Sequence, residues 1–160
     1  MRYLTELGGH MSPMTAFLTL HGVETLSLRM QRHAENALKV ATFLESHPAV
    51  AEVAYPSLPT SPYHELARKY FPRGSGAILA IRVRGGLVGA KRVLERVRIF
   101  DYMVNVGDTK SLIVHPATSI HHGLPVAEQE HAGVFQDTLR ISAGTEDAND
   151  LIRDLEQALA

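Results

Sequence analysis

The sequence predicts an α/β or α+β layer in which helices cover one small sheet. Three observations carry this expectation. Apolar residues recur at spacings of three and four over 17–41 and 87–97, with a final helix-like stretch over 151–159. Between them, residues 77–84 alternate at the period of a strand. Helical and strand-like segments follow one another without an internal repeat or a low-complexity linker.

Ser12 is a suitable N-cap and Pro13 suits the first helical position, where a missing amide hydrogen is not needed. A helix is therefore expected from Pro13, with Phe17, Leu20, Val23, Leu26, Met30, Ala34, Ala37, Leu38 and Ala41 on one apolar stripe. Gly22 marks a bend or break within it. The second piece should stop near His47, because Pro48 disfavours helix in the residue before it. A short strand over 50–55 and a proline-rich turn over 56–62 come next, and Pro62 is expected to open a short helix through Tyr70.

Ala77, Leu79, Ile81 and Val83 form an apolar strand face, while Ile78, Ala80, Arg82 and Arg84 form one that turns polar toward its end. Gly85-Gly86 ends this half-buried strand, and Leu87, Ala90, Val93, Leu94 and Val97 give the following helix a buried side. Two short strands, 111–114 and 138–141, precede a last helix from about Asp147 that buries Leu151, Ile152, Leu155 and Leu159. Gly74-Ser75-Gly76 is no dinucleotide fingerprint, since it lacks the remaining glycine and enters a strand where that motif must enter a helix.

With 160 residues and 45% apolar content, the chain can bury one sizeable core. A formal net charge of −1 gives no electrostatic reason to expect nucleic acid or an anionic membrane as partner. The absence of cysteine excludes disulfides, thiolate zinc sites and cysteine nucleophiles, and suits a reducing cytoplasm. No apolar stretch is long enough to span a bilayer, and no secretory signal pattern opens the chain.

Arg140 is the leading functional candidate. In Leu139-Arg140-Ile141-Ser142, alternation sends Arg140 and Ser142 to one face. A surface arginine is the ordinary explanation. The alternative is chemical: a guanidinium fork holds an amino-acid carboxylate through two parallel charge-assisted bonds. Lys110 is a poor Schiff-base residue, because nothing local desolvates it or surrounds it with cations. Lys39, Lys69 and Lys91 lie among polar neighbours on expected helices. Nine histidines, with His115, His121 and His122 close together, raise a metal site, but sequence clustering alone does not supply convergent ligands, and no metal is expected.

Two stretches carry more specific information: Asn105-Val106-Gly107-Asp108-Thr109-Lys110-Ser111-Leu112-Ile113-Val114-His115-Pro116-Ala117, and Leu139-Arg140-Ile141-Ser142-Ala143-Gly144-Thr145-Glu146-Asp147. With Ser12-Pro13-Met14, Gly22-Val23-Glu24-Thr25-Leu26, Glu35-Asn36-Ala37, Tyr55-Pro56-Ser57-Leu58 and Gly74-Ser75-Gly76, in that order, they resemble the C-terminal domain of the cystathionine γ-synthase family. The wording is closest to its O-acetylhomoserine sulfhydrylase branch. The resemblance implies the small domain of the aspartate aminotransferase-like fold type I of pyridoxal-phosphate enzymes, preceded by a long inter-domain helix. Residues 1–47 would be that helical segment and 48–160 the substrate-binding domain. The N-terminal domain, with the family's Ser-x-Thr-Lys lysine and most of the pyridoxal phosphate contacts, would be absent.

The same resemblance implies γ-replacement, in which the cofactor serves as electron sink while O-acetylhomoserine loses acetate and sulfide adds to give homocysteine. Arg140 would bind the substrate α-carboxylate, Ser111 would contact the substrate at the active-site rim, and Asn105 would orient a polar group of the substrate. No catalytic residue would lie in this chain, which would be inactive alone and, with its N-terminal domain, part of a homotetramer. A sibling cystathionine γ-synthase or γ-lyase, or a non-catalytic binding module, are the alternatives. Ile120 before His121, then His122, Ala143 and Thr145, depart from the family's usual residues and leave the acyl-group preference open.

Overall fold

The structure is a computed structural model that describes residues 8–160; the first seven residues of the expected 1–47 segment lie outside the described residues. Helix α1 spans Pro13–Glu24, and the Ser12 hydroxyl caps it by accepting from the Thr15 N–H at 3.2 Å. Helix α2 spans Leu26–Glu45. The break between them falls at Thr25, not at Gly22 as expected. A glycine costs a helix only about 1 kcal/mol relative to alanine and need not interrupt it. At Thr25 the Arg29 guanidinium stabilises the break, donating to the Gly22 carbonyl at 3.0 Å and to the Thr25 hydroxyl.

The expected apolar stripe is mostly exposed. Ala37 and Ala41 are fully buried, whereas Phe17, Leu20, Val23, Leu26, Met30 and Leu38 are exposed. The inner face of α2 begins instead with two polar residues, His33 and Asn36, and continues through Ala37, Val40, Ala41 and Leu44. A search for apolar periodicity passes over such a face.

Strand β1, Val50–Ala54, is followed by helix α3, His64–Tyr70. Pro62 stays in the turn before α3 and does not open it: the His64 N–H closes that turn on the Ser61 carbonyl at 3.0 Å, and the first helical bond runs from the Ala67 N–H to the Tyr63 carbonyl at 2.8 Å. Strand β2, Ile78–Val83, and helix α4, Gly86–Arg96, lie where expected. Strands β3, Asp101–Tyr102, and β4, Leu112–Val114, lead through a short 3-10 turn, Pro116–Thr118, to helix α5, Val126–His131. Strand β5, Thr138–Ser142, and helix α6, Ala148–Leu159, complete the chain. Asp147 caps α6 through the Asn149 N–H at 2.8 Å, and this bond holds its carboxyl below the usual carboxylate range.

The five strands form one sheet in the order β1-β2-β5-β4-β3, antiparallel except for the β3/β4 pair. Leu79, Ile81, Leu139, Ile141 and Ile113 form one face and are buried beneath α2, α4 and α6. The fold is therefore the expected helix-covered sheet. Its second face carries Arg140, with Ala80 opposite it on β2 and Val114 on β4. Among the described residues, no helix is long and apolar enough to cross a membrane.

Candidate functional site

Arg140 projects from the central part of the sheet on the face that α2, α4 and α6 leave uncovered. Its Nη2 donates to the Asn105 carbonyl at 3.0 Å. Its Nε is buried and has no hydrogen-bond partner among the described residues. Leaving a buried donor unsatisfied costs roughly 1–3 kcal/mol, so the geometry favours an added acceptor there. A carboxylate suits it, because a planar fork with free N–H groups can engage both carboxylate oxygens.

The structure thus brings Arg140 and Asn105 together, but through the backbone of Asn105. The Asn105 amide is used within its own loop: Oδ1 accepts from the Val106 N–H at 2.9 Å, and Nδ2 donates to Asp108 at 3.3 Å. Ser111 lies at the other end of that loop and is fully buried. Its hydroxyl donates to Glu146 Oε2 at 2.9 Å and accepts from the Gly144 N–H at 2.8 Å. Ser111 therefore ties loop 105–111 to loop 143–146.

Three further residues that sequence reasoning left without a role belong to this arrangement. Glu146 also accepts the Ser111 N–H, at 2.6 Å. Asn36, buried on α2, donates to the carbonyls of Gly144 at 2.9 Å and Glu146 at 2.8 Å. His33 bonds the Ala143 carbonyl at 2.6 Å through Nδ1, which must carry the proton because a carbonyl only accepts. Asn36 and Glu146 stand in the motifs quoted above. The only other sequence signal is that polar residues fall on the inner face of a helix.

His115 spends both ring nitrogens inside the fold, on Thr118 Oγ1 at 2.8 Å and on the Gln136 carbonyl at 3.0 Å. No group of three or more potential metal-binding side chains converges among the described residues. The chain's four lysines, Lys39, Lys69, Lys91 and Lys110, are all exposed, and Lys110 pairs with Asp101 at 3.3 Å. A Schiff-base lysine needs desolvation or neighbouring cations to keep its amine neutral. None of the four fits that requirement.

The whole chain, residues 1–160, matches the family model for Cys/Met metabolism PLP-dependent enzymes. It is 45% identical over 157 residues to an O-acetyl-L-homoserine sulfhydrylase of Leptospira meyeri, an alignment that covers 98% of this chain and 36% of the relative. An L-methionine gamma-lyase of Treponema denticola is 41% identical over 152 residues, covering 95% of this chain and 38% of that protein. Among solved structures, a protein assigned as an O-acetylhomoserine (thiol)-lyase from Campylobacter jejuni superposes with a TM-score of 0.90 at 40% identity, covering 98% of this chain and 37% of its own. That protein carries a pyridoxyl-lysine monophosphate. The chain therefore spans little more than a third of the length of these relatives.

Proposed function

The chain belongs to the Cys/Met metabolism PLP-dependent enzymes, and from that membership we propose that it is the C-terminal, substrate-binding part of a cytoplasmic transferase. The reaction is γ-replacement: O-acetylhomoserine and sulfide give homocysteine and acetate. Arg140 carries the reading, since its guanidinium, on the sheet face away from α2, α4 and α6 and with an Nε that has no partner among the described residues, is suited to an amino-acid α-carboxylate. Ser111 and Asn105 serve the site by fixing the loop that receives Arg140. These residues contribute proximity and orientation, and none of them is asked to move a proton.

The lysine that holds the cofactor belongs to an N-terminal domain outside these 160 residues. Within the segment 1–47, helices α1 and α2 lead from that domain to the substrate-binding domain, 48–160. The exposed apolar residues of α1 and the first half of α2 give that domain a surface to dock on, within a homotetramer. The chain alone is inactive.

In the complete enzyme, Arg140→Ala should raise the KM for O-acetylhomoserine roughly ten- to a hundredfold, the worth of about 1.5–3 kcal/mol for a hydrogen bond to a charged group. Arg140→Lys should recover little, because an ammonium does not reproduce the planar fork. An unchanged KM in a folded Arg140→Ala enzyme would remove the carboxylate reading. A sibling cystathionine γ-synthase or γ-lyase is the second reading, supported by the 41% identity with the methionine gamma-lyase. Turnover with sulfide against turnover with cysteine separates the two.

A further inference from the structure

We infer that Glu146 is a positioning residue for the carboxylate site, acting through the backbone of loop 105–111; this rests on the reading of Arg140 above. Arg140 donates to the Asn105 carbonyl at 3.0 Å, so the position of that carbonyl helps set the direction of the fork. The carbonyl in turn depends on where the foot of the loop is held. Glu146 holds it there with two bonds from a single residue, the Ser111 N–H at 2.6 Å and the Ser111 hydroxyl at 2.9 Å. Both donors are neutral, and charge-assisted bonds of this kind are roughly twice as strong as neutral ones.

Glu146 is itself anchored. Asn36 donates to its carbonyl at 2.8 Å and to that of Gly144 at 2.9 Å, which ties the loop to helix α2. The Thr145 N–H donates to the Thr109 carbonyl at 2.8 Å, so the two loops are zipped side by side. Their approach leaves no room for a side chain at Gly144: a Cβ there would lie 2.4 Å from the Thr109 carbonyl oxygen and 2.5 Å from the Ser111 nitrogen. A chain of direct contacts thus runs from α2 through Asn36, Glu146 and Ser111 into loop 105–111, whose far end meets Arg140.

The substitution Glu146→Gln tests this in the complete enzyme, because glutamine keeps the shape and removes the charge. Its amide oxygen can still take one Ser111 bond, and the hydroxyl can reverse to accept from the amide nitrogen. The variant should stay folded, with a melting temperature near that of the wild type. Its KM for O-acetylhomoserine should rise roughly tenfold, while its KM for sulfide, which has no carboxylate, and its kcat should change less than about twofold. A purely structural role would lower the melting temperature and move kcat and both KM values together, and that result overturns the inference. So does a folded variant with an unchanged KM for O-acetylhomoserine.

Ser111→Ala, which keeps the N–H bond to Glu146 and deletes both hydroxyl bonds, the one to Glu146 and the one from the Gly144 N–H, gives a second measurement should Glu146→Gln not fold. It must show the same selective rise at smaller size, or the inference fails. Arg140→Ala measured alongside separates the two levels. If Arg140→Ala raises the KM for O-acetylhomoserine and the Glu146 and Ser111 variants do not, only the positioning role falls. If Arg140→Ala leaves that KM unchanged, the carboxylate reading falls and the positioning role with it.

Discussion

Gly144 is where the tolerance of the site is smallest. An added methyl would meet the Thr109 carbonyl and the Ser111 nitrogen, both main-chain groups that cannot rotate away as a side chain could. Overpacking of this kind costs typically about 1–3 kcal/mol. Gly144→Ala should therefore lower the melting temperature by roughly several degrees, and in the complete enzyme it should weaken substrate binding as the two loops separate. Calorimetry and a KM measurement on the same variant check this; no change in either would mean the loops have slack that their geometry does not suggest. The direction of Arg140 was legible from strand alternation alone. Its contact with the Asn105 carbonyl was not, since 35 residues separate them and the acceptor is a main-chain group that carries no sequence signature.

Among the elements, β3 depends most on distant support. It is two residues long, pairs in parallel with β4, and follows a segment whose amides are gathered by Asp154 on α6. The Asp154 carboxylate accepts from the N–H groups of Arg98 at 2.9 Å, Ile99 at 2.8 Å and Phe100 at 3.4 Å. Asp154→Ala would leave these amides without their acceptor and should cost about 3 kcal/mol in urea unfolding, at the upper end of the range for unsatisfied buried groups. A loss below about 0.5 kcal/mol, the usual spread for surface changes, would contradict that role. The same dependence explains what the sequence concealed. β2, α4 and α6 follow from their own periodicity, because each buries a regular apolar face. β3 was not expected, and neither was α5, whose Gln129 is buried and donates to the carbonyls of Ala117, His121 and Leu124. Such bonds arise only once the chain has folded, so no local pattern announces them. The inner face of α2 was hidden for a related reason, since His33 and Asn36 are buried to serve the carbonyls of loop 143–146.

At the scale of the molecule, the two faces of the sheet differ in how they are finished. One is sealed by α2, α4 and α6; the other carries Arg140, whose Nε has no partner among the described residues. Helix α1 buries none of its residues, and its apolar side chains stand beside those of the first half of α2. Apolar surface of that extent marks an interaction face, and the chain spans only 36% to 38% of the length of the relatives described above. In the function proposed above, these 160 residues bind the substrate while a lysine elsewhere holds the cofactor. The most direct test is to mix the purified chain with pyridoxal phosphate, reduce with borohydride, and locate adducts by intact and peptide mass spectrometry. No specific adduct is predicted, only scattered low-level labelling of the four exposed lysines. A stoichiometric adduct on Lys110, or on any other single lysine, would mean that this chain builds its own cofactor site, and would overturn that function.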